Sequence, residues 1–269
     1  MEKRSAVVFG ATGMVGMELV KRLCERNEYV SVTAIGRRAV EWEHPKLQQI
    51  VHSLDELTES DIRFAHDVFC CLGTTKKKAG SKEQFEKVDF EYPLQIASIA
   101  KNLHIAHFIV ISAMGANESA NIHYSKVKGQ LEQELQKLEL PRLSIIRPSL
   151  LVGSRQEFRF GEKMGEQVLK VVNPILIGGL KKYRSIKASQ VADAMITIAL
   201  KKDKSPMKVY TSNQLLAMKL PPQPEKKEET FVDLETTFNW NKVNGLDELV
   251  DEEVVINRSK IKSIDEDEV

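Results

Sequence analysis

The chain has 269 residues, 42% of them hydrophobic, and a formal net charge of +1, which suits one large α/β domain with an appendage. So balanced a charge gives no global field that would draw the chain to nucleic acid or to an anionic membrane. The three cysteines form neither a disulfide framework nor a metal-binding spacing. No apolar stretch reaches membrane-spanning length and the first is too short for a signal peptide, so we expect a cytoplasmic protein.

Strand and helix patterns alternate along the first 212 residues. Apolar runs predict strands over residues 5–10, 30–36, 47–52, 67–72, 107–112, 142–147 and 207–212. Helical spacing of apolar residues predicts helices over residues 14–27, 82–102, 122–138, 161–172 and 188–201. Strands that alternate with helices predict an α/β fold with a doubly wound parallel sheet of the Rossmann type.

The carboxyl-terminal segment differs in composition from this body. Residues 230–269 carry eleven acidic and four basic side chains, a net charge of −7, so the preceding residues carry +8. A proline-rich, charged stretch separates the two and is typical of a stiff, solvated linker. We therefore expect a Rossmann domain over 1–217, a linker over 218–229 and an acidic tail over 230–269. The tail either docks on the body, a neighbouring subunit or a partner protein, or is a flexible solubilising arm.

Three glycines follow the first predicted strand. Gly10, Gly13 and Gly16 open the first predicted helix, which is the setting of a dinucleotide-binding loop. The first glycine makes the tight turn, the second admits a pyrophosphate close to the backbone, and the third allows close packing of the helix. The helix start then offers N–H groups to phosphate, although the same glycines also suit a plain turn.

The end of the second strand indicates which cofactor is bound. An NAD-binding domain usually has an acid there that binds the ribose hydroxyls, whereas this chain has Gly36-Arg37-Arg38. Guanidinium groups bind a 2′-phosphate through paired hydrogen bonds. Unless Arg37 and Arg38 are merely solvated surface residues, they favour NADP(H), with NAD(H) as the second choice.

A serine, a tyrosine and a lysine are spaced for proton transfer. Tyr124 and Lys128 are four residues apart, so on a helix they share one face. We expect the ammonium to lower the tyrosine pKa and so make it a usable acid or base. Ser112 ends the preceding strand, where its hydroxyl would orient a substrate carbonyl. The alternative is a surface tyrosine beside a solvated lysine.

Further motifs carry a family resemblance. They are Phe69-Cys70-Cys71-Leu72-Gly73-Thr74-Thr75, Lys78-Ala79-Gly80, Val88-Asp89, Ser112-Ala113-Met114-Gly115-Ala116, Tyr124-Ser125-Lys126-Val127-Lys128-Gly129, Arg147-Pro148-Ser149-Leu150-Leu151 and Arg155-Gln156-Glu157. On these residues the chain resembles an atypical short-chain dehydrogenase/reductase, and more closely the Tat-interactive protein family, as a bacterial-type member. The resemblance covers residues 5–212.

The resemblance implies an NADPH-binding reductase fold whose site residues follow by position. The pyrophosphate would lie on Gly10, Ala11, Thr12, Gly13, Met14 and Val15. The 2′-phosphate would lie on Arg37 and Arg38, and the turn Leu72-Gly73-Thr74 would run along the cofactor. The nicotinamide end would meet Tyr124, Lys128, Arg147, Pro148 and Leu151.

Two functions are compatible with these residues. The first is an NADP(H)-dependent oxidoreductase in which Tyr124 and Lys128 assist hydride transfer to or from a small carbonyl or alcohol substrate. The second is a non-catalytic NADPH-binding regulator or redox sensor with the tail as its interaction arm. Epimerisation of a nucleotide sugar uses the same pair of residues, but residues 147–209 leave little room for a large substrate domain.

Overall fold

The structure is a computed structural model that describes residues 3–152, 184–203 and 205–224. In chain order its strands are β1 (Arg4–Phe9), β2 (Tyr29–Gly36), β3 (Leu47–Val51), β4 (Asp67–Cys70), β5 (His107–Ile111), β6 (Leu143–Arg147), β7 (Leu151–Val152), β8 (Ile186–Lys187) and β9 (Met207–Thr211). Its α-helices are α1 (Met14–Glu25), α2 (Lys76–Ala79), α3 (Lys82–Glu86), α4 (Tyr92–Asn102), α5 (His123–Lys137), α6 (Ala188–Leu200) and α7 (Ser212–Ala217). Short 3-10 turns occupy Leu54–Glu56 and Glu59–Asp61. The helix expected over 161–172 lies outside the described residues.

The main sheet is parallel and has the order β3-β2-β1-β4-β5-β6-β9 across its seven described strands. Strand β1 is the third of these strands, where Val8 is opposite Ala34 of β2 on one side and Phe69 of β4 on the other. The chain therefore winds outward from β1 in both directions. This confirms the predicted doubly wound Rossmann fold and opens a crevice at the carboxyl ends of β1 and β4.

Helices cover both faces of the sheet. One apolar cluster joins Val8 of β1 to Leu19 of α1 and Met195 of α6. The other joins Phe9, the next residue of β1, to Ile96 of α4. Because successive side chains of a strand point to opposite faces, one short strand contributes to both clusters. None of the described helices is both long and apolar enough to cross a membrane.

The helix predicted over 82–102 contains a wider turn in its middle. A π-helical segment, Lys87–Glu91, separates α3 from α4. Pro93 lies at the start of α4, where its ring has no N–H and would clash with the carbonyl four residues earlier, at Asp89. The helix relieves that clash by widening just before the proline.

Residues 218–224 lie against the Rossmann domain. The guanidinium of Arg26, at the end of α1, donates to the carbonyl oxygens of Pro221 and Pro222 at 2.8 and 3.3 Å. Asn27 donates to the carbonyl of Pro224 at 3.1 Å. The first part of the predicted linker is therefore bound rather than solvated, and the compact unit runs to Pro224. The rest of the linker and the tail lie outside the described residues.

A buried polar network holds the amino-terminal edge of the sheet. Asp67, fully buried at the start of β4, accepts hydrogen bonds from Arg4 at 2.6 and 2.8 Å and from the Tyr29 hydroxyl at 2.8 Å. His107 begins β5, and its Nε2 lies 2.8 Å from the Ser144 hydroxyl. These charges stabilise the edge opposite to the one where parallel sheets bind ligands.

His107 makes the stability of the fold depend on pH. Burial, followed by the charges of Arg142 and Arg4, lowers the pKa of His107 from 6.5 to about 2. Below about pH 6.5 the unfolded chain therefore binds a proton that the folded chain does not. We expect this residue to reduce the free energy of unfolding by up to about 1.4 kcal/mol for each pH unit of acidification. Urea unfolding between pH 7 and pH 5 (roughly the range in which the unfolded imidazole titrates) measures this slope.

The matched pair for this test is His107→Gln and His104→Asn. The first removes the buried imidazole, so the unfolding free energy should depend less steeply on pH than in the unmodified chain. The second replaces an exposed histidine, at φ 52°, by a residue that accepts a positive φ, and should leave the slope unchanged. Equal slopes in the His107→Gln variant and the unmodified chain would contradict the buried neutral histidine.

Candidate functional site

The glycine loop has the geometry that the sequence predicts. Gly10 follows β1 with φ +77°, and a Cβ atom on it would lie 2.7 Å from the carbonyl oxygen of Cys71. A Cβ atom on Gly16 would lie 2.2 Å from the carbonyl oxygen of Gly10. A side chain at either position would collide with backbone, so these two glycines allow α1 to begin directly against the ends of β1 and β4.

The start of α1 is open to an anion. Gly13 is the N-cap residue and offers no side-chain hydrogen bond, and the first turn has no acidic residue. Thr12 and Gly13 are exposed, while Ala11 and Val15 are buried and anchor the loop. The first N–H groups of a helix lack partners within it, so those near Met14 face the exposed loop. This cradle fits the pyrophosphate of a dinucleotide.

Arg37 and Arg38 lie at the same edge of the sheet as this loop. They follow Gly36, the last residue of β2, and the preceding residue, Ile35, is paired with Phe9 of β1. Both side chains are exposed. A Cβ atom on Gly36 would meet nothing within 4 Å, so the space beside the strand end is open. The position suits the 2′-phosphate end of a cofactor whose pyrophosphate lies on α1.

The turn after β4 is fixed by a residue that the predictions left out of the site. Leu72, Gly73 and Thr74 follow β4, and the backbone N–H of Thr74 donates to the Asp89 carboxylate at 2.8 Å. Asp89 lies in the π-helical segment and is only 1% exposed. The turn predicted to run along the cofactor is therefore held by a buried acid.

Asp89 also binds the predicted catalytic lysine. Nζ of Lys128 lies 2.8 Å from Oδ1 of Asp89, and both side chains are buried. Burial is the largest single effect and acts to lower the pKa of Lys128. The charge and hydrogen bond of Asp89, together with the charges of Tyr124 and Cys70, raise that pKa above its ordinary value. Lys128 therefore stays protonated, as a buried cation with one close counter-ion.

Tyr124 lies one helical turn before Lys128, as predicted. It is 37% exposed, and its ring packs at 53° against the buried Phe85, with 5.9 Å between centroids. Its pKa is raised above the ordinary value, because burial and then the Asp89 charge outweigh the lowering effect of Lys128. The predicted net lowering was therefore wrong. Lys128 acts in the predicted direction, but the burial of Tyr124, which spacing along α5 does not reveal, outweighs it.

Ser112 lies at the carboxyl end of β5 but does not point freely into the crevice. It is 2% exposed, and its hydroxyl donates to the carboxylate of Glu132 in α5. Glu132 is in turn paired with the guanidinium of Arg147. To bind a substrate carbonyl as predicted, the hydroxyl would have to leave this buried acceptor.

The remaining predicted residues follow β6. Arg147 ends that strand with a side chain one-third exposed, and its Nε donates to Glu132 at 2.9 Å. Pro148 is buried, and its carbonyl accepts the N–H of Met114 at 3.0 Å, which joins the loops after β5 and β6. Leu151 is half-buried in β7. Residues 153–183, which follow β7, lie outside the described residues.

The described residues contain no group of three histidine, cysteine or acidic side chains that could hold a metal ion. What the carboxyl edge of the sheet does bring together is an anion cradle, two exposed arginines, and a tyrosine beside a buried lysine–aspartate pair. These features suit a cofactor that carries phosphate groups, together with a tyrosine of the protein that can transfer a proton.

Solved structures with the same fold support this arrangement of elements. MoeE5 in complex with UDP-glucose and NAD matches with a TM-score of 0.58 and 13% identity, covering 78% of this chain and 79% of that one. UDP-N-acetylglucosamine 4-epimerase from Methanobrevibacter ruminantium M1 matches with a TM-score of 0.61 and 18% identity, over 78% and 77% of the two chains. At such low identity these similarities establish the fold alone.

Curated relatives are more similar in sequence. Protein HTATIP2 of Rattus norvegicus is 40% identical over 167 residues, which cover 60% of this chain and 69% of that protein. The mitochondrial protein FMP52 of Debaryomyces hansenii is 37% identical over 157 residues, 57% of this chain and 69% of that protein. FMP52 of Eremothecium gossypii, also named mitochondrial, is 30% identical over 217 residues, 80% of this chain and 96% of that protein.

Two expectations are corrected by these relatives. The prediction of a cytoplasmic protein was wrong, because the fungal proteins that this chain matches are named mitochondrial. The assignment to a bacterial type of member has no support, because the relatives come from a rat and from fungi.

The family itself is established by two independent matches. The model of the NAD(P)H-binding family matches residues 10–202, from the first glycine of the phosphate loop to just after α6. The rat and fungal proteins extend the similarity over more than two thirds of their own lengths. The chain therefore belongs to the NAD(P)H-binding family of Rossmann-fold proteins, together with the proteins named HTATIP2 and FMP52.

Proposed function

We propose that the chain is an NADP(H)-dependent oxidoreductase that interconverts a small carbonyl compound and its alcohol. The observation that carries the proposal is the position of Tyr124, a 37% exposed residue, one helical turn from the buried Lys128–Asp89 pair. The phosphate cradle of α1 supports it, because both features lie at the carboxyl edge of one sheet. The proposed activity resides in residues 1–217.

Each residue has a chemical role in this proposal. When bound, the nicotinamide supplies a hydride to the carbonyl carbon, or accepts one from the alcohol carbon, and is itself oxidised or reduced by two electrons. Tyr124 gives a proton to the carbonyl oxygen, or takes one from the alcohol. Lys128 would bind the ribose hydroxyls, and its positive charge acts to lower the pKa of the tyrosine. Ser112 orients the carbonyl once its hydroxyl turns from Glu132.

The preference for NADP(H) rests on Arg37 and Arg38. Both are exposed at the end of β2, beside the open space at Gly36. Arginine forms paired, charge-assisted hydrogen bonds with phosphate. A 2′-phosphate in this position would be attracted by both arginine cations, whereas the uncharged 2′-hydroxyl of NAD(H) would not.

A non-catalytic NADPH-binding protein is the second candidate, and one observation favours it. The buried hydroxyl of Ser112 donates to Glu132 and is therefore not free to bind a substrate carbonyl in the structure as it stands. In this case the chain senses the reduced cofactor, and residues 230–269 bind a partner protein. Removal of residues 225–269 leaves the bound segment 218–224 intact, and would abolish partner capture while leaving cofactor affinity unchanged.

The variant Tyr124→Phe separates the two candidates. For the oxidoreductase, removal of the proton donor should lower kcat about 10²- to 10⁴-fold in a screen of carbonyl compounds and quinones that follows the absorbance of NADPH. Its affinity for NADPH should stay close to that of the unmodified chain. The matched control is Tyr92→Phe, which removes a hydroxyl that contacts Asp55 at 3.2 Å and should keep full turnover. Undiminished turnover by Tyr124→Phe on an identified substrate would disprove the assignment.

The variant Arg37→Ala/Arg38→Ala tests the cofactor preference. Loss of charge-assisted hydrogen bonds should weaken NADPH binding about 10- to 100-fold and change NADH binding little. Calorimetric titration with each cofactor measures the ratio. Arg63→Ala removes an exposed arginine next to Phe64, whose carbonyl accepts a hydrogen bond from Ser5 near the start of β1, and should alter neither affinity. Equal losses for NADPH and NADH in the double variant would refute the 2′-phosphate contact.

A further inference from the structure

Asp89 is the acid around which the candidate proton-transfer site is arranged. Its side chain is 1% exposed and lies in the π-helical segment between α3 and α4. Its two carboxylate oxygens have different partners, because Oδ2 accepts the N–H of Thr74 at 2.8 Å while Oδ1 lies 2.8 Å from Nζ of Lys128. One side chain thus links the turn after β4 to the middle of α5.

The wider turn of the helix places Asp89 there. Pro93 prevents a regular α-helix at the residue four positions earlier, which is Asp89. Turns of this kind often occur at functional sites. The π-helical segment packs against α5 as well as against its own neighbours, α3 and α4, so the displaced backbone brings the carboxylate to the lysine.

The charged groups around Tyr124 come from three elements. Burial has the largest effect on the tyrosine pKa and raises it; from α5, Lys128 lowers that pKa, and from the π-helical segment, Asp89 raises it by a smaller amount. From α3, Glu86 lies 3.5 Å from Nε2 of His123, the residue before the tyrosine. On the outer side of the π-helical segment, Lys87 is paired with Asp55 at 2.8 Å. Among the residues that the structure describes, the buried charges that act on Tyr124 are therefore those of Lys128 and Asp89.

We propose that Asp89 is a positioning residue that binds Lys128 to the Thr74 turn and offsets its positive charge, so that Tyr124 is kept as a neutral hydroxyl and serves as a proton donor in carbonyl reduction. This inference rests on the proposed oxidoreductase function and adds a direction to it. Without the acid, a bare ammonium beside Tyr124 would favour tyrosinate, the form that accepts a proton from an alcohol. With the acid present, oxidation of an alcohol requires alkaline solution.

The protonation of Tyr124 can be followed without any substrate. The chain has five tyrosines, and NMR of protein with tyrosine labelled at Cζ resolves the titration of each, the signal of Tyr124 being the one absent from Tyr124→Phe. The full chain is titrated as the unmodified protein and as Asp89→Asn, Asp89→Glu and Lys128→Met. The matched control is Asp55→Asn, since Asp55 is an exposed acid that binds Lys87 and Tyr92 rather than Lys128.

The expected shifts differ in sign. Asp89→Asn should move the titration of Tyr124 to lower pH, because the anion that repels tyrosinate is gone. Lys128→Met should move it to higher pH, while Asp89→Glu and Asp55→Asn should leave it near that of the unmodified chain. Loosening of the structure alone would move every variant toward the value of a free tyrosine, and so cannot give opposite shifts. An unchanged or raised titration in Asp89→Asn overturns the proposal.

A double variant keeps the test valid if Asp89→Asn does not fold. An unpaired buried cation is costly, whereas Asp89→Asn/Lys128→Met contains no buried charge at this position. Its Tyr124 should titrate at lower pH than that of Lys128→Met alone, because only the first lacks the acid. Equal titrations in these two variants contradict the proposal.

The rate of reduction gives a second readout. For the unmodified chain, the rate with NADPH and an identified carbonyl should fall on the alkaline side as Tyr124 loses its proton. In Asp89→Asn this alkaline limb should move to lower pH, with a greater loss in kcat than in cofactor affinity. A limb that does not move contradicts the proton-donor role. A third outcome is that the tyrosine titrations shift with the expected signs but the chain reduces no carbonyl compound. That result would support the effect of Asp89 on Tyr124 and would reject the oxidoreductase function.

Discussion

The buried ion pair between Lys128 and Asp89 is the contact on which the arrangement of the candidate site depends. Each group is enclosed by protein, and a buried charge without a partner would destabilise the fold by several kcal/mol. Because Asp89 also holds the N–H of Thr74, the pair connects the turn after β4, the π-helical segment and α5. The position of Tyr124 follows from it, since this residue lies one turn before the lysine.

The two edges of the sheet have different roles: residues at the amino edge stabilise the fold, and residues at the carboxyl edge form the candidate site. At the amino edge, Asp67 satisfies Arg4 and Tyr29 in a network closed to solvent. At the carboxyl edge, Gly10 turns away from β1 and leaves the start of α1 uncapped and exposed. The crevice lies between β1 and β4, where the direction of winding reverses, as in other doubly wound sheets that bind nucleotides. The sheet topology thus places both the cofactor cradle and the Lys128–Asp89 ion pair at the carboxyl edge.

Features set by local pattern could be predicted from the sequence. Interior parallel strands are continuous apolar runs, so each described strand of the main sheet lies within two residues of its predicted bounds. The collisions at Gly10 and Gly16 likewise match the roles that glycine spacing implies. These properties depend on neighbours along the chain or on one turn of helix.

Features set by distant contacts could not be predicted in the same way. Asp89 belongs to the Val88-Asp89 motif, but nothing in the spacing places it against Lys128. The sign predicted for the Tyr124 pKa shift was wrong because the spacing does not reveal how deeply this residue is buried, and the charge of Asp89 adds to that effect. The bond from Ser112 to Glu132 joins different elements. Pro93, four residues after Asp89, is a local signal for a widened helix that the prediction of a single helix over 82–102 did not use.

The central claim is that the glycine loop, the turn at Leu72–Thr74 and the Tyr124–Lys128 turn of α5 form one cofactor site. Amide hydrogen exchange of the full chain, with and without NADPH, tests it most directly. The account predicts that NADPH slows exchange at residues 10–16, 72–74 and 124–128 together and leaves the amino edge around Asp67 unchanged. Exchange that is unchanged at the glycine loop, or slowed there but not at the other two segments, would contradict it.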